Sequence, residues 1–236
     1  MSRSLLRSIV SSNVTSSDQT TFTKEYGGFS LPQIWAFLER KKRSNAKQRY
    51  TREKEVTARL YDHGINTHNI LGFDNIARRL TVEYVPLTPF PDIFEDRETH
   101  IDDKLDLLYK AFETLKDIHN AGESHGDAYL KNFFRDERKK SDRRGLVYTC
   151  DFEIQRVSPD PQVTDILLLT ANAANTLAKS NGVDQAEIFD LVTQAYGPVQ
   201  GYQLQIRDHL FYRARFLRTD PFFAHFGDTR MISIPR

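Results

Sequence analysis

Between Thr20 and Tyr26 the run TTFTKEY alternates polar and apolar positions and is rich in threonine and aromatic residues, which predicts a β-strand. Residues 1–30 as a whole read as β-rich sequence broken by the polar stretch Ser11–Thr20. PQIWAFL, from Pro32 to Leu38, predicts a short helix opening at a proline. EKEVTARLYDHGI places Val56 and Leu60 at helical spacing and closes on Gly64, a C-terminal stop. ILGFD and RRLTVEYV predict a strand pair ending at Val85. Ile101–Asn120 sets Leu105, Leu107, Leu108, Phe112, Leu115 and Ile118 on a helical period. A loop is expected from Ala121 to Asn132. Two short strands should flank the polar insertion Arg135–Gly145, the second being LVYTCDF. From Thr164 onward the pattern is mainly helical: TDILLLTANAANTLA, then DQAEIFDLVTQAY, then the basic amphipathic QLQIRDHLFYRARFL.

The segment VPLTPFPD holds Pro86, Pro89 and Pro91. Proline fixes φ and removes a backbone donor, so this stretch reads as a connector rather than a strand. Strands before it and helices after it predict an α+β protein of two lobes, 1–85 and 86–236.

Composition narrows the class. The chain has 236 residues, 39% hydrophobic and 28% charged, with 16 Phe and 10 Tyr. That aromatic content is enough to build a core and excludes a disordered chain. With 33 basic against 32 acidic side chains, no global charge drives it onto nucleic acid or membrane. Cys150 is the only cysteine, which excludes an intrachain disulfide and a cysteine-rich zinc site. No apolar run approaches the roughly 20 residues a membrane helix needs. The N-terminus carries Arg and Ser without acid, nearer to an organelle transit peptide than to a secretory signal. The expected location is cytoplasmic.

The sharpest chemical signal is His125-Gly126-Asp127-Ala128-Tyr129-Leu130-Lys131-Asn132. An Asp and an Asn five residues later can face one reaction centre from a single loop. The carboxylate can orient a hydroxyl and accept its proton, while the amide oxygen ligates a hard cation such as Mg²⁺. Nineteen residues beyond Asn132 comes Asp151, expected at the end of the strand Val147–Asp151. A second carboxylate there would bridge Mg²⁺ to triphosphate oxygens.

This region resembles the protein-kinase-like superfamily, and within it the small kinases with an HGD loop: the Bud-type, Rio and Kdo/WaaP lipopolysaccharide kinases. IHNAGESHGDAYLKN is similar to their helix-end and catalytic-loop pattern LHxxGxxHGDxxxxN. CDFE at Cys150–Glu153 stands where the family has Asp-Phe-Gly, and VEYV at Val82–Val85 looks like the hinge strand whose backbone meets adenine. Asp165 matches the helix Asp that braces the catalytic loop. The resemblance covers about residues 20–180.

It implies ATP and Mg²⁺ as cofactors and a role for each matching residue. Lys24, mid-strand, would neutralise phosphate charge. Its helix partner would be Glu53, with Glu55 as the alternative. Asp127 would be the catalytic carboxylate, Asn132 and Asp151 the metal ligands, and Glu83 and Val85 the cofactor-binding hinge. Two departures stand out. Ser11–Gln19 contains no glycine, so phosphate would have to be cradled without glycine's freedom of approach. Glu153 replaces the glycine of Asp-Phe-Gly. The implied activity is phosphoryl transfer to a hydroxyl acceptor, of the sugar or lipopolysaccharide type or a protein Ser/Thr. About 70 residues follow Asp165, which favours a non-peptide acceptor. A pseudokinase scaffold and a Bud-type ATPase in a tRNA-associated complex are the competing readings.

Other conspicuous residues have plainer expectations. His125 should pack beneath the loop, and His119 should be a core or interface histidine. His63 and His68 flank a turn with no third metal ligand near them. Lys131 would reach a γ-phosphate or the acceptor. Three basic segments, Arg40–Arg52, Arg135–Arg144 and Arg207–Arg218, are expected as solvated or packed faces, with an anionic partner as the alternative. The sequence leaves the oligomeric state open.

Overall fold

The computed structural model describes residues 13–16, 21–26, 46–139, 146–154 and 161–196. The expected helix at 32–38, the turn where a glycine-rich loop would lie, the tip of the polar insertion and the basic segment Arg207–Arg218 fall outside these residues.

In chain order the elements are β1 (Asn13–Ser16), β2 (Thr21–Glu25), α1 (Ala46–Asp62), β3 (Ile70–Asp74) and β4 (Arg79–Glu83). They continue with β5 (Leu87–Pro89), α2 (Phe90–Glu95), α3 (Ile101–Asn120), β6 (Phe133–Asp136), β7 (Val147–Thr149), α4 (Pro161–Asn181) and α5 (Gln185–Tyr196). A short 3-10 turn, Leu130–Asn132, precedes β6. The first four strands form an antiparallel sheet in the order β1-β2-β4-β3. The alternation of TTFTKEY then has a definite consequence. Phe22, Lys24 and Tyr26 project to one face, and that face packs on Tyr50, Leu80 and Val82. Lys24 is therefore a cation on the buried side of a sheet.

Helix α1 crosses from this small core to the larger one: Tyr50 belongs to the first, Val56 and Leu60 to the second. It ends where Gly64 takes a left-handed φ of 76°. That conformation lets the Gly64 and Ile65 amides donate to the carbonyls of Tyr61 and Leu60. The larger core is built around α3, whose Leu107, Leu108, Ala111, Phe112, Leu115 and Ile118 are all buried. Each of the Leu, Phe and Ile side chains contributes about 1.5–3 kcal/mol on burial. Helices α4 and α5 close over it.

Two expectations are corrected here. VPLTPFPD is not simply a connector: Leu87–Pro89 pairs antiparallel with β6 at the edge of a second sheet, β5-β6-β7, and Pro91 falls in the first turn of α2. Both places suit proline, since an edge strand and a helix start each leave an N–H that need not be paired. The strand LVYTCDF is also shorter than expected and stops at Thr149. Asp151 has φ 72°, a left-handed conformation that leaves the strand pleat.

Candidate active site

Four elements converge on one cluster of charges. Strand β2 carries Lys24, α1 carries Glu53, the loop before β6 carries Asp127 and Asn132, and the segment after β7 carries Asp151. The Lys24 ammonium lies 2.9 Å from Asp151 Oδ1 and 3.5 Å from Glu53 Oε1. Of the two helix glutamates, Glu53 is buried and Glu55 is exposed, so Glu53, the partner expected ahead of Glu55, is on the helix face that meets the sheet. Burial alone would lower the pKa of Lys24, but Asp151, Glu53 and Glu153 outweigh it and hold the ammonium well above its ordinary range. Burial pushes the Glu53 carboxyl up to about 7, with Lys24 opposing and Asp151 and Glu153 reinforcing the rise. Burial would also raise Asp151, but Lys24 prevails and keeps it below the usual carboxylate range.

The catalytic-loop candidates sit beside this group. Asn132 Nδ2 donates to the Asp127 carbonyl at 2.7 Å and to its carboxylate Oδ2 at 3.3 Å. With the amide nitrogen so committed, Asn132 Oδ1 is its remaining acceptor atom. Lys131 Nζ lies 3.1 Å from the same Asp127 oxygen, with its side chain half exposed. Burial tends to lower Lys131, but Asp127 and then Asp151 raise it, so the two carboxylates act on one ammonium.

The loop itself is held from below. Gly126 adopts φ 83°, a turn that glycine makes at no steric cost. Asp165 of α4, fully buried, accepts from the amides of His125 at 2.6 Å and Gly126 at 2.9 Å. His119 Nε2 stands 3.3 Å from the same carboxylate. His125 Nδ1 accepts from the Asp127 amide, which leaves Nε2 to donate to Thr149 Oγ1 at 3.1 Å. Burial lowers the His125 pKa, which favours a neutral imidazole packed beneath the loop. Asn172, which the sequence reading did not single out, accepts from the Leu130 amide through Oδ1 at 2.9 Å.

Glu83 and Val85 lie at and just beyond the end of β4. Val85 packs with Phe134 and Tyr148, and Cys150 joins them, so the hinge candidate adjoins the residue preceding Asp151. The Glu83 side chain turns to Arg138, 3.2 Å away. His68 Nδ1 and the Tyr148 hydroxyl share a hydrogen bond at 2.6 Å, and burial drives the His68 pKa down to about 3. No cluster of three or more His, Cys, Asp or Glu able to hold a metal occurs among the described residues. An Mg²⁺ site ordinarily needs only one or two protein oxygens beside phosphate and water, and a carboxylate and an amide oxygen such as those of Asp151 and Asn132 are of that type.

The basic segments are largely engaged internally where they are described. Arg49 faces Glu153, and Arg52 donates to the carbonyls of Ser124 at 2.8 Å and Ile154 at 3.1 Å. Arg135 pairs with Glu137, and Arg138 with Asp136. Each of these four arginines is thus paired within the chain. The inward roles of Arg49 and Arg52 follow from α1 beginning at Ala46, inside the basic run, which hydropathy did not reveal.

No protein-family model matches the sequence, and no curated protein matches it. Solved structures do match. A WaaP structure in complex with acyl carrier protein aligns at TM-score 0.56 and 15% identity, over 93% of this chain and 92% of that one. A MAP kinase from Leishmania major aligns at TM-score 0.46 and 16% identity, over 88% of this chain and 65% of that one. The protein has a protein-kinase-like fold: an α+β arrangement of a small antiparallel sheet and a helical part.

Proposed function

We propose that the chain is an Mg²⁺-ATP-dependent phosphotransferase acting on a hydroxyl acceptor, with two lobes meeting at Val85–Pro86. The observation that carries this reading is the meeting of Lys24 with Asp151 and Glu53 at 2.9 and 3.5 Å, beside the bonded pair Asp127–Asn132. A buried lysine among carboxylates is expensive unless it serves as a phosphate-binding group or an ion-pair hub. Here its partners come from two separate chain segments, α1 and the stretch after β7, beside the loop that carries Asp127 and Asn132.

In this reading Lys24 neutralises α- and β-phosphate charge and Glu53 holds it in place. Backbone groups of Glu83 and Val85 meet the adenine. Asn132 and Asp151 would hold Mg²⁺, which when bound supplies charge neutralisation on the phosphate oxygens. Asp127 orients the acceptor hydroxyl. As the acceptor oxygen bonds to the γ-phosphorus, the bond from that phosphorus to the β,γ-bridging oxygen breaks. The hydroxyl proton passes to the Asp127 carboxylate and ADP leaves. Lys131, already on Asp127, lies where it would meet the transferring phosphoryl group or the acceptor. Most of the rate enhancement would come from positioning and electrostatics.

The HGD-loop resemblance and the WaaP likeness favour a sugar hydroxyl of the lipopolysaccharide type as acceptor, in the cytoplasm. Acyl carrier protein, present in the WaaP structure, is the first protein partner to try. No helix among the described residues is long and apolar enough to cross a membrane.

The test is Mg²⁺-dependent ATP turnover by the wild-type, Asp127→Ala and Asp151→Ala chains. The γ-phosphate would be followed to free phosphate, to protein and to glycans. Turnover that requires Mg²⁺ and vanishes in both variants supports the reading. Absence of both turnover and nucleotide binding overturns it in favour of a scaffold, and phosphate release without a labelled acceptor points to an ATPase.

A further inference from the structure

Glu153 occupies the position that glycine holds in the Asp-Phe-Gly of the kinases this chain resembles, and its side chain is 3% exposed. Both carboxylate oxygens lie 3.4 Å from Arg49 Nη1, and Oε2 lies 3.9 Å from Lys24 Nζ. Arg49 is itself 6% exposed and sits one turn before Glu53 on the same face of α1. Its Nε and Nη2 are buried without a hydrogen-bond partner, as is Glu53 Oε2. Two cations, Lys24 and Arg49, therefore face three carboxylates, Glu53, Asp151 and Glu153. If Asp151 is given to a divalent cation, the remaining charges match two to two. Arg49 is the counterion that makes a carboxylate at 153 tolerable, because a buried charge left alone is strongly unfavourable.

The backbone gives this pair a second consequence. Asp151 holds φ 72°, a conformation that non-glycine residues adopt only when their surroundings enforce it. Before it lies Cys150, after it Phe152, which is fully buried 4.8 Å from the His125 ring. Glu153 follows, fastened to α1. The chain on the far side of Asp151 is thus fixed by the packed Phe152 ring and by the ion pairs of Glu153. The same ion pair draws α1 toward β7, and Arg52 adds its bonds to the Ser124 and Ile154 carbonyls.

We propose that Glu153, locked onto Arg49, is a positioning residue: it holds the Asp151 carboxylate in its metal-binding orientation and keeps Glu53 seated against Lys24. Where a glycine would leave this joint free to swing, the pair fastens it, so α1 and the Asp-Phe-Glu segment move as one body. The assignment rests on the phosphotransferase reading of the site.

The experiment compares wild type with Glu153→Gln, Arg49→Met, Arg49→Lys and the Arg49→Met/Glu153→Gln double variant. For each, binding of a non-hydrolysable ATP analogue is titrated with Mg²⁺ by calorimetry, and kcat and KM are measured. The double variant removes both buried charges together and so retains the fold even where a single variant does not. Its Mg²⁺ midpoint should rise about tenfold or more, the size typical of lost outer-shell support to a metal ligand. Its affinity for metal-free nucleotide should fall by less than its affinity for Mg²⁺-nucleotide, and kcat should fall more than KM changes. Arg49→Lys, which keeps a cation opposite Glu153, should lie between. A merely structural pair would lower the unfolding temperature and leave the Mg²⁺ midpoint where it was, which overturns the assignment while the phosphotransferase reading stands. A wild-type chain with no Mg²⁺-dependent nucleotide binding overturns that reading and this assignment with it.

Discussion

Lys24 and Asp151 lie 127 residues apart in the chain and 2.9 Å apart in space, the ammonium donating to Oδ1 of the carboxylate. This contact joins the β-sheet to the segment after β7. It also makes Lys24 the common neighbour of Asp151, Glu53 and Glu153.

Replacing Lys24 by methionine removes from Glu53 and Asp151 the cation that opposes their burial. Their pKa values then rise, the folded chain holds extra protons, and stability falls as pH increases. Denaturant unfolding of Lys24→Met should show a larger deficit against wild type at pH 8 than at pH 5. A deficit independent of pH would mean that the lysine contributes only packing.

Glu53 provides a pH dependence of activity. Its carboxyl is pushed up from an ordinary value of 4.5 to about 7. A carboxyl raised on folding stabilises the fold at low pH, and that contribution is lost as pH climbs from 4.5 through 7. Its ionised form is the one that pairs with Lys24, so turnover should increase through pH 7 while stability declines. A pH profile of kcat/KM should show this acid limb, and Glu53→Gln should abolish it.

Asp127→Ala should lower kcat by about 10² to 10⁴-fold, the usual range for a general base. The affinity for Mg²⁺-nucleotide should change little, because the nucleotide ligands are elsewhere. Single-turnover kinetics beside equilibrium binding separate the two effects. A loss confined to binding would move Asp127 out of the base role.

Asp165 acts at one remove. It accepts from two loop amides in a fully buried setting, and an asparagine can offer only one acceptor oxygen there. Asp165→Asn should cost about 2 to 4 kcal/mol in chemical denaturation, given about 1.5–3 kcal/mol per bond to a charged acceptor. Amide exchange should become faster at His125 and Gly126 first.

The sequence carried the local half of this protein. The periodicity of Ile101–Asn120 marks α3 to the residue, and the alternation of TTFTKEY marks β2 and the side Lys24 faces. Asp127 and Asn132 are bonded to each other across a spacing of five, which one loop can satisfy alone. Such features depend on neighbours close in the chain, and hydropathy and spacing record them. What needed the tertiary structure was every relation between distant segments. The contact of Glu53 with Lys24 depended on which face of α1 meets the sheet. The strand at Leu87–Pro89 exists only because β6 returns beside it, and local proline content argued against it. The left-handed Asp151 and the Arg49–Glu153 pair were invisible for the same reason. A buried ion pair or an enforced φ is set by what packs around it, and that is decided only when strands, helix and loop are brought together.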